Sequence, residues 1–544
     1  MPRRLARPLV AALVLSGLLP IAFSTAPAHA DTYFPITGSG STWSQNALDQ
    51  WRSNVAKNYG MTVNYNGIGS TSGRTDFIAG TVDFAISEIP FQAKPQDGSA
   101  PEHPTTGFAY LPIVAGGTSF MYNLKIGGIR VTNLRLSGDT ITKIFTGAIT
   151  NWNDAAIQAD NPALAMPNKP ITPVIRSDGS GTSAQFTLWM ATQYPKLWKT
   201  GMTSQFPSFG ESKAQKGSDG VAGYVSQDYG EGAITYVEYS YAKKAGFPVA
   251  KVLNAAGYYV EPTAYSVAVA MMQAKINDDS SSSAYLTQIL DGVYNATDKR
   301  AYPLSSYSYM IVPTEVTSKG IFNTNKGKTL GAFLRYVLCT GQQQADTLGY
   351  SPLPMNLVEA GSDQIKRIPG AGNAGIDFTS CKNPTFKAGD SPSKNQLAVI
   401  APYPADCDKK GTSQCTTGTA GAANQTTPVT GSGTGGTANT KTNTGTKTTT
   451  GGSSNTGTTG GSVSQPTYDE NGNVIAGSTT DGTTSGSGTT YGAAVSKPFT
   501  LPDQTTASTQ WLLVAAALLL VAVVVAPPLL SQRLRRSGGA DVSR

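Results

Sequence analysis

Positions 177–182 carry residue types that bind a small oxyanion. They read Ser-Asp-Gly-Ser-Gly-Thr, and they follow a strand pattern at 171–175 and precede a helical pattern that runs through Ala184. A helix that begins on small residues exposes backbone N–H groups and the positive end of its dipole. Arg176 adds a planar fork of donors, and Asp178 is expected to pair with it or to cap the turn. The pattern indicates an anion site, although alone it is equally typical of an ordinary strand-to-helix turn.

Two earlier loops have the same composition. Residues 38–43 read Gly-Ser-Gly-Ser-Thr-Trp and residues 66–73 read Asn-Gly-Ile-Gly-Ser-Thr-Ser-Gly, and each separates a strand pattern from a helical pattern. Alternating strands and helices predict an α/β domain, in which such loops meet at the carboxyl ends of parallel strands. The 177–182 run is not a nucleotide P-loop, because no Lys-Ser or Lys-Thr follows its last Gly. We therefore expect several loops to converge on one small anion.

The strand and helix patterns continue to about residue 375. Residues 108–122 are a long apolar run, which predicts either two strands or one strand that crosses between domains. Helices are predicted near 263–276 and 329–348. The segment 376–410 contains Pro and Cys and has no pattern that assigns it to an element.

The amino terminus has the parts of a secretory signal peptide. Three arginines within the first seven residues precede an apolar run at 9–23, and an Ala-His-Ala cleavage pattern ends at Ala30. We therefore expect residues 1–30 to be removed and the remaining chain to be exported. A membrane-anchoring helix is the weaker alternative, because the run is short and is broken by Gly17 and Pro20.

The carboxyl-terminal quarter predicts a tether and a membrane anchor. Residues 411–510 are almost entirely Gly, Thr, Ser, Asn and Ala, which predicts a disordered chain with an r.m.s. span of about 55 Å; a glycosylated stalk is the alternative. Residues 511–530 are apolar and long enough to cross a bilayer, and the arginines of 531–544 place this basic tail in the cytoplasm. A cell-wall sorting signal would look similar, but residues 501–505 lack the L-P-x-T-G spacing.

Charge, cysteines and histidines narrow the function further. The formal net charge is +7, but the arginines of the signal peptide and basic tail leave only about one positive charge on the exported part, so we expect no nucleic-acid partner. The four cysteines allow three disulfide pairings, of which proximity favours Cys339 with Cys381 and Cys407 with Cys415. Their spacing is not that of a zinc site. His103 lies in a Pro-flanked loop, and we expect no catalytic role for it.

Seven motifs occur in order between about residue 31 and residue 375. They lie at 37–43, 63–70, 82–84, 87–88, 176–182, 218–221 and 236–242. Together they resemble the PstS family, the extracytoplasmic phosphate-binding proteins of the high-affinity phosphate ABC importer. The resemblance implies a type II periplasmic-binding-protein fold, with two α/β lobes and a two-strand hinge. The lobes are expected at about 31–115 with 300–375, and at about 116–299. The resemblance also implies a monomer that needs no cofactor and works with permease and ATPase subunits.

The resemblance implies a set of phosphate ligands by position, namely Thr42, Trp43, Ser70, Glu88, Arg176, Ser180, Gly181 and Thr182. Trp43 stands where relatives often have Phe, and that position contributes its backbone N–H. Glu88 stands where the usual residue is Asp. A buried carboxylate accepts a hydrogen bond from protonated phosphate but is left repelled and unpaired by sulfate. The extra methylene of Glu88 either shifts its loop or weakens this selectivity. In an alternative, Glu88 faces solvent and the other loops hold the anion.

The leading prediction is a membrane-tethered receptor on the extracytoplasmic face, which binds inorganic phosphate and delivers it to an ABC importer. The first cysteine is Cys339, so no lipid can be attached at the cleavage site, and the carboxyl-terminal helix would anchor the chain instead. One alternative is a surface protein that scavenges or senses phosphate or another oxyanion without a transporter. A phosphatase is disfavoured, because no nucleophile with a base and no metal-ligand cluster is apparent.

Overall fold

The computed structural model describes residues 33–316 and 320–427, together with two short strands further on. The strands are β1 Ile36–Gly40, β2 Val63–Gly67, β3 Phe84–Ser87, β4 Phe108–Tyr122, β5 Lys125–Ile126, β6 Ile129–Arg130, β7 Arg135–Leu136, β8 Thr172–Arg176, β9 Lys213–Gln215, β10 Ala233–Glu238, β11 Lys251–Leu253, β12 Tyr259–Val260, β13 Lys275–Ile276, β14 Gln288–Ile289, β15 Ser305–Pro313, β16 Thr467–Tyr468 and β17 Val474–Ile475.

The α-helices alternate with the strands over much of the chain. They are α1 Gln45–Tyr59, α2 Ser70–Ile78, α3 Gly138–Ile144, α4 Ala155–Asp160, α5 Gly181–Gln193, α6 Gly217–Ser226, α7 Tyr239–Ala245, α8 Ala264–Met271, α9 Asp291–Tyr294, α10 Thr324–Leu338, α11 Ala345–Leu348, α12 Met355–Lys366 and α13 Gln396–Ile400. Short 3-10 turns lie at Asp228–Gly230, Thr340–Gln344, Asp406–Asp408 and Ala420–Ala422. The predicted α/β class is confirmed by this order.

One eight-stranded sheet organises the domain, in the order β2-β1-β3-β15-β4-β10-β8-β9. Strand β1 pairs in parallel with β2 and β3, and β8 pairs in parallel with β10 and β9. We call β1–β3 with α1 and α2 the first half, and β8–β10 with α5 and α6 the second half. The long antiparallel strands β4 and β15 lie between them, and β4 pairs with both β15 and β10. The two parallel halves are therefore joined through a central antiparallel pair.

Residues 108–122 form one strand rather than two. Strand β4 is buried along almost its whole length, and β15 is buried at every position. A strand that is covered on both faces has an uninterrupted apolar sequence, which explains why the period-2 pattern is missing here. Gly116 leaves room for the indole of Trp43, which a Cβ at Gly116 would approach to 2.7 Å. The strand that crosses between the halves is thus also the centre of the core.

Two predicted helices differ in extent from the observed ones. The helix predicted at 263–276 ends at Met271, and the chain then forms the β13–β14 hairpin. The helix predicted at 329–348 begins earlier, because the Asn323 side chain accepts a hydrogen bond from the Lys326 N–H and caps it. It ends at Leu338, and a 3-10 turn and the short helix α11 follow.

The folded domain extends well beyond residue 375, where the sequence patterns suggested its end. Residues 376–427, which we call the extension, pack against the domain. Residues 411–427 were expected to belong to the disordered tether, but they are part of this folded extension. The disulfides Cys339–Cys381 and Cys407–Cys415 confirm the pairing favoured by proximity. The misplaced boundary has a physical reason: the extension is held by a disulfide, by a few isolated apolar side chains such as Phe386 and by hydrogen bonds of small polar side chains, and none of these gives a periodic pattern.

The extension contacts elements on both sides of the central strands. Near its start the Thr385 hydroxyl donates to the Leu353 carbonyl at 2.7 Å, beside α12. Further along, Lys251 pairs with Asp408 at 2.7 Å. At the end of the described segment the Thr132 N–H donates to the Thr427 hydroxyl at 2.8 Å. The extension therefore runs from the region of α10 and α12 to the region of β7 and β11.

Several predicted segments lie outside the described residues. These are the signal peptide 1–30, the transmembrane helix 511–530 and the basic tail 531–544. Within the part of the chain that the structure describes, no helix has both the length and the apolar character to span a bilayer. Strands β16 and β17 pair antiparallel inside the segment predicted as a tether, so this segment is not uniformly without secondary structure.

Candidate anion-binding site

The loops predicted to converge do meet between the two halves of the sheet. The loops after β1, β2 and β3 come from the first half, and the loops that lead into α5 and α6 come from the second half. Because the strands within each half are parallel, their carboxyl ends lie at one edge. Every residue of the predicted ligand set is buried, and the set comprises Thr42, Trp43, Ser70, Glu88, Arg176, Ser180, Gly181 and Thr182.

A carboxylate lies at the centre of one cluster. The Ser70 hydroxyl donates to Glu88 Oε2 at 2.8 Å, and the Ser308 hydroxyl donates to Glu88 Oε1 at 2.9 Å. The Gly181 N–H, at the first position of α5, donates to the Ser70 hydroxyl at 3.0 Å. A Cβ at Gly181 would lie 1.9 Å from Glu88 Oε2. The cluster thus requires a glycine at position 181, and it joins α5 of the second half to the first half.

Glu88 is fully buried, so the alternative in which it faces solvent is wrong. Burial raises its pKa above the ordinary 4.5, while hydrogen bonds from Ser41, Ser70 and Ser308 and the charge of Arg176 pull it down. Ser308 was missed at the sequence level, because β15 is distant in the chain and reaches the site only through its pairing with β3. The carboxylate therefore has donors from both β15 and α2.

A second cluster surrounds the guanidinium of Arg176. Its Nε donates to Asp178 Oδ1 at 2.7 Å, and its Nη2 contacts Asp178 Oδ2, so the predicted pair forms in bidentate geometry. Burial opposes the charge of Arg176, but the adjacent Asp178 more than offsets this and raises its pKa. Its Nη1 lies 3.5 Å from the Thr182 hydroxyl and 3.4 Å from the Ser218 hydroxyl. Arg176 is thus held in place with a donor edge toward both hydroxyls.

Ser218 is a member of the cluster that the predicted ligand set left out. Its hydroxyl lies 2.9 Å from the Thr42 hydroxyl, and its N–H donates to the same Thr42 oxygen at 3.0 Å. The 218–221 motif pointed to this loop, and its position at the start of α6 gives it the same small-residue helix start as α5. The small residues of this motif are therefore the sequence signal by which Ser218 could have been predicted as a site residue.

Trp43 and Ser180 serve the local structure in different ways. The Trp43 N–H donates to the Ser41 hydroxyl at 2.9 Å, and its indole packs edge-on against Tyr350 with ring centroids 5.7 Å apart. The Ser180 hydroxyl accepts from the Ser183 N–H at 3.2 Å and caps α5. The ring of Trp43 therefore belongs to the core, and any contribution of this residue to an anion comes from its backbone.

The two halves are in contact all around the site. Besides the bonds already described, the Thr71 N–H donates to the Gly179 carbonyl at 3.1 Å, and the Thr203 hydroxyl donates to Asp97 at 2.6 Å. His103 is exposed in the loop after β3 and lies apart from both clusters. Across residues 33–316 and 320–427, no group of three or more His, Cys, Asp or Glu side chains could hold a metal ion. The arrangement is an enclosed set of donors with one buried acidic group, which suits a protonated oxyanion.

A family model and individual relatives of known name match the same part of this chain. A family model described as a PBP superfamily domain matches residues 25–340. The phosphate-binding protein PstS of Xylella fastidiosa is 33% identical over 350 residues, which is 63% of this chain and 89% of that protein. The phosphate-binding protein PstS of Haemophilus influenzae is 32% identical over 332 residues, which is 61% of this chain and 92% of that protein.

A solved structure also matches this chain at low sequence identity. A high-affinity periplasmic phosphate-binding protein, PfluDING, determined with bound phosphate, matches with 21% identity and a TM-score of 0.46. The match covers 60% of this chain and 92% of that one.

Proposed function

Because this chain belongs to the PstS family of phosphate-binding proteins, we propose that it is the extracytoplasmic receptor that binds inorganic phosphate for an ABC-type importer. One observation carries the proposal most directly: a buried carboxylate, Glu88, lies within an otherwise donor-rich site. An acidic group in an anion site favours only an anion that itself brings a proton. Phosphate near neutral pH carries such a proton, and fully ionised sulfate does not.

The proposed ligands act in three groups. Backbone N–H groups near the starts of α1 and α5 donate to the phosphate oxygens with support from the helix dipoles. They include those of Trp43 and Gly181, which in the proposed complex exchange the Ser41 and Ser70 hydroxyls for phosphate oxygens. Arg176 donates from its free edge while Asp178 holds it in place. The hydroxyls of Thr42, Ser180 and Thr182 also donate. Ser70 contributes by holding the carboxylate, because its single hydroxyl proton is donated to Glu88 Oε2. Charge-assisted hydrogen bonds of about 1.5–3 kcal/mol each would together reach micromolar affinity or better.

In this proposal the ionised Glu88 accepts a hydrogen bond from the protonated oxygen of phosphate. Its longer side chain is accommodated by the Ser70 and Ser308 hydroxyls, which hold the two carboxylate oxygens at 2.8 and 2.9 Å. Of the two outcomes expected for the extra methylene, we favour a shifted loop with selectivity retained, because both oxygens already have fixed partners. The relatives are binding proteins by name, and the chain is accordingly a receptor and not an enzyme.

The finer arrangement is also proposed. The first and second halves act as lobes that close on phosphate, with β4 and β15 as the hinge, and the closed form is the one that the permease and ATPase subunits recognise. The receptor acts as a monomer. It is held on the outer face of the membrane by the apolar segment 511–530, through the chain that follows Thr427, with the basic tail in the cytoplasm.

Calorimetry on the mature chain tests the proposal. We expect tight phosphate binding and little sulfate binding, and we expect Glu88→Gln to narrow the difference, since an amide can donate to sulfate. Glu231→Gln is a matched control, because Glu231 pairs with Lys169 far from the site. If both anions bind alike and Glu88→Gln changes nothing, the role proposed for Glu88 is wrong.

Phosphate uptake by cells that lack this chain distinguishes a transport receptor from a scavenger. If the chain is a receptor, its loss lowers phosphate uptake when phosphate is limiting. If it is a scavenger without a transporter, uptake is unchanged.

A further inference from the structure

A small buried cavity behind the anion site collects four oxygens that have no hydrogen-bond partner. Its volume is about 10 Å³, and it lies between α5, α9 and the central strands β4 and β15. The oxygens are the hydroxyls of Thr118, Tyr294 and Ser306 and the amide oxygen of Gln185. Each of these residues is at most 7% exposed. Half of the unpartnered buried polar atoms found among the described residues therefore line a single cavity.

Four unpartnered oxygens in one cavity would destabilise the folded state unless a molecule in the cavity forms hydrogen bonds with them. A buried hydroxyl without a partner is destabilising, and native proteins leave few of them. About 10–15 Å³ is the room that one water needs, and an internal water usually makes two to four hydrogen bonds. Three hydroxyls can each donate or accept, and the amide oxygen accepts. The two protons and two lone pairs of one water match these four partners in number, with two hydroxyls donating to the water and the other two oxygens accepting from it.

The lining argues against other occupants. No charged side chain lines the cavity, and its other lining residues are Trp189, Leu290, Leu304 and Ser305. The Ser305 hydroxyl already donates to the Tyr302 carbonyl at 2.8 Å. A metal cation would have no charge to balance it, and an apolar molecule would leave the four oxygens unpaired.

We propose that one internal water occupies this cavity and joins α5 to the two central strands. The water links Gln185 of α5 to Thr118 of β4 and Ser306 of β15. The Gln185 amide nitrogen donates to the Glu88 carbonyl at 2.7 Å. The water therefore also fixes the orientation of the amide that holds the backbone of the acidic loop. This role stands apart from phosphate binding and does not depend on it.

The sign of a stability change tests the proposal. With the water present, Tyr294→Phe and Thr118→Val each remove a hydrogen bond, and we expect the folding equilibrium constant of the mature chain to fall about threefold to tenfold. If the oxygens were truly unpartnered, the same variants would relieve a buried polar group and raise that constant. A rise in both variants overturns the proposal. Urea unfolding provides the measurement.

Tyr307→Phe is a matched control that shows how much stability the protein loses when a known hydrogen bond of a buried tyrosine is removed. The Tyr307 hydroxyl donates to the Leu286 carbonyl at 3.1 Å, so Tyr307→Phe removes a hydrogen bond between two protein groups. We expect Tyr294→Phe to change stability in the same direction as Tyr307→Phe. Opposite signs for the two substitutions contradict the water.

Oxygen-17 magnetic relaxation dispersion counts long-lived internal waters directly. We expect the mature chain to show one more such water than the triple variant Thr118→Val, Tyr294→Phe, Ser306→Ala, which leaves too few partners to retain it. An equal count overturns the proposal.

A bound monovalent cation is the remaining alternative occupant, and urea unfolding in sodium, potassium and choline chloride tests it. Equal stability in the three salts supports water. A stability that depends on one of the cations means that this ion, and not water, occupies the cavity.

Discussion

A carboxylate inside an anion site acts through its protonation state. Burial raises the pKa of Glu88 above 4.5, so Glu88 takes up a proton at a higher pH than an exposed carboxylate does. The ionised form accepts a hydrogen bond and repels sulfate, whereas the protonated form can donate to sulfate. In the proposed site, the preference for phosphate over sulfate should therefore depend on the charge of this single side chain.

We expect the preference for phosphate over sulfate to decline as the pH falls, beginning above pH 4.5. Sulfate competition measured by calorimetry between pH 8 and pH 4.5 gives the profile. In Glu88→Gln the preference should be smaller, and it should vary with pH only as phosphate itself takes up its second proton. A wild-type preference that stays constant over the whole range would show that Glu88 does not govern selectivity.

A second buried carboxyl, Glu238, has consequences for stability. Its Oε2 accepts from the Ser240 N–H at 2.7 Å, while no described residue partners its Oε1. Burial raises its pKa well above 4.5. A carboxyl with a raised folded-state pKa favours the folded state at low pH, and this contribution is lost as the pH rises from 4.5 through the folded-state value.

Glu238→Gln should therefore stabilise the protein at neutral pH, by about 1–3 kcal/mol, and change little at pH 4.5. Urea unfolding of both chains at the two pH values is the measurement. Glu231→Gln is a control of opposite sign, because the hydrogen bond from Lys169 lowers the pKa of Glu231 and the pair is lost on substitution. A gain for Glu238→Gln that is larger at pH 4.5 than at pH 7 would contradict the raised pKa.

At the scale of elements, the start of α5 is the most constrained part of the site. A Cβ at Gly181 would overlap Glu88 Oε2 at 1.9 Å and approach the Ser70 hydroxyl to 2.7 Å. We expect Gly181→Ala to weaken phosphate binding about 100-fold or more, by roughly 2.7 kcal/mol, as measured by calorimetry. Gly220→Ala in α6 is the control, because its Cβ meets nothing closer than 3.5 Å. Retained affinity in Gly181→Ala would mean that α5 and Glu88 can separate without loss.

The helix starts were predictable because their chemistry is local. Gly and Ser directly before α5 belong to a pattern of a few residues, and the pairing of Arg176 with Asp178 spans only two positions. Ser308 could not be predicted in the same way, since it reaches Glu88 from 220 residues away. The end of α8 at Met271 was also hidden, because the apolar pattern continues into the β13–β14 hairpin.

At the scale of the whole molecule, the extension forms part of the fold. Arg135 is buried, and its guanidinium donates to the Ser413 carbonyl at 2.7 Å and to the Cys407 carbonyl at 3.1 Å. It also lies over the Tyr259 ring, 4.5 Å from the centroid. Without the extension this cation would keep the ring and the Asp160 carbonyl, to which its Nε donates at 2.8 Å, but would lose its acceptors on the extension. Each lost hydrogen bond to a charged group is destabilising.

We expect a mature chain that ends at residue 427 to unfold at the same urea concentration as the full mature chain. A chain that ends at residue 375 should be less stable by about 3–5 kcal/mol or fail to fold. Arg135→Met in the full chain removes the same hydrogen bonds from the donor side, so a loss of stability in this variant tests the contact if the short chain cannot be purified. Equal midpoints for chains ending at 375 and 427 would show that the extension contributes nothing.

If the chain beyond Thr427 tethers the protein to the membrane as proposed, the last described residues decide where mechanical force enters the folded domain. Thr427 is bonded to Thr132, and Thr419 donates to the Val249 carbonyl at 2.6 Å, both beside the second half. In that arrangement a pull is received first at this side, and the Cys339–Cys381 disulfide, which joins the extension to the end of α10, limits how far the extension can be peeled away. The bonds of Thr419 and Thr427 do not involve β1–β3, α1 or α2, so the pull does not act on the first half through them. In the proposed receptor the membrane would therefore fix the position of the second half, and the first half would be the part that moves when the lobes close on phosphate.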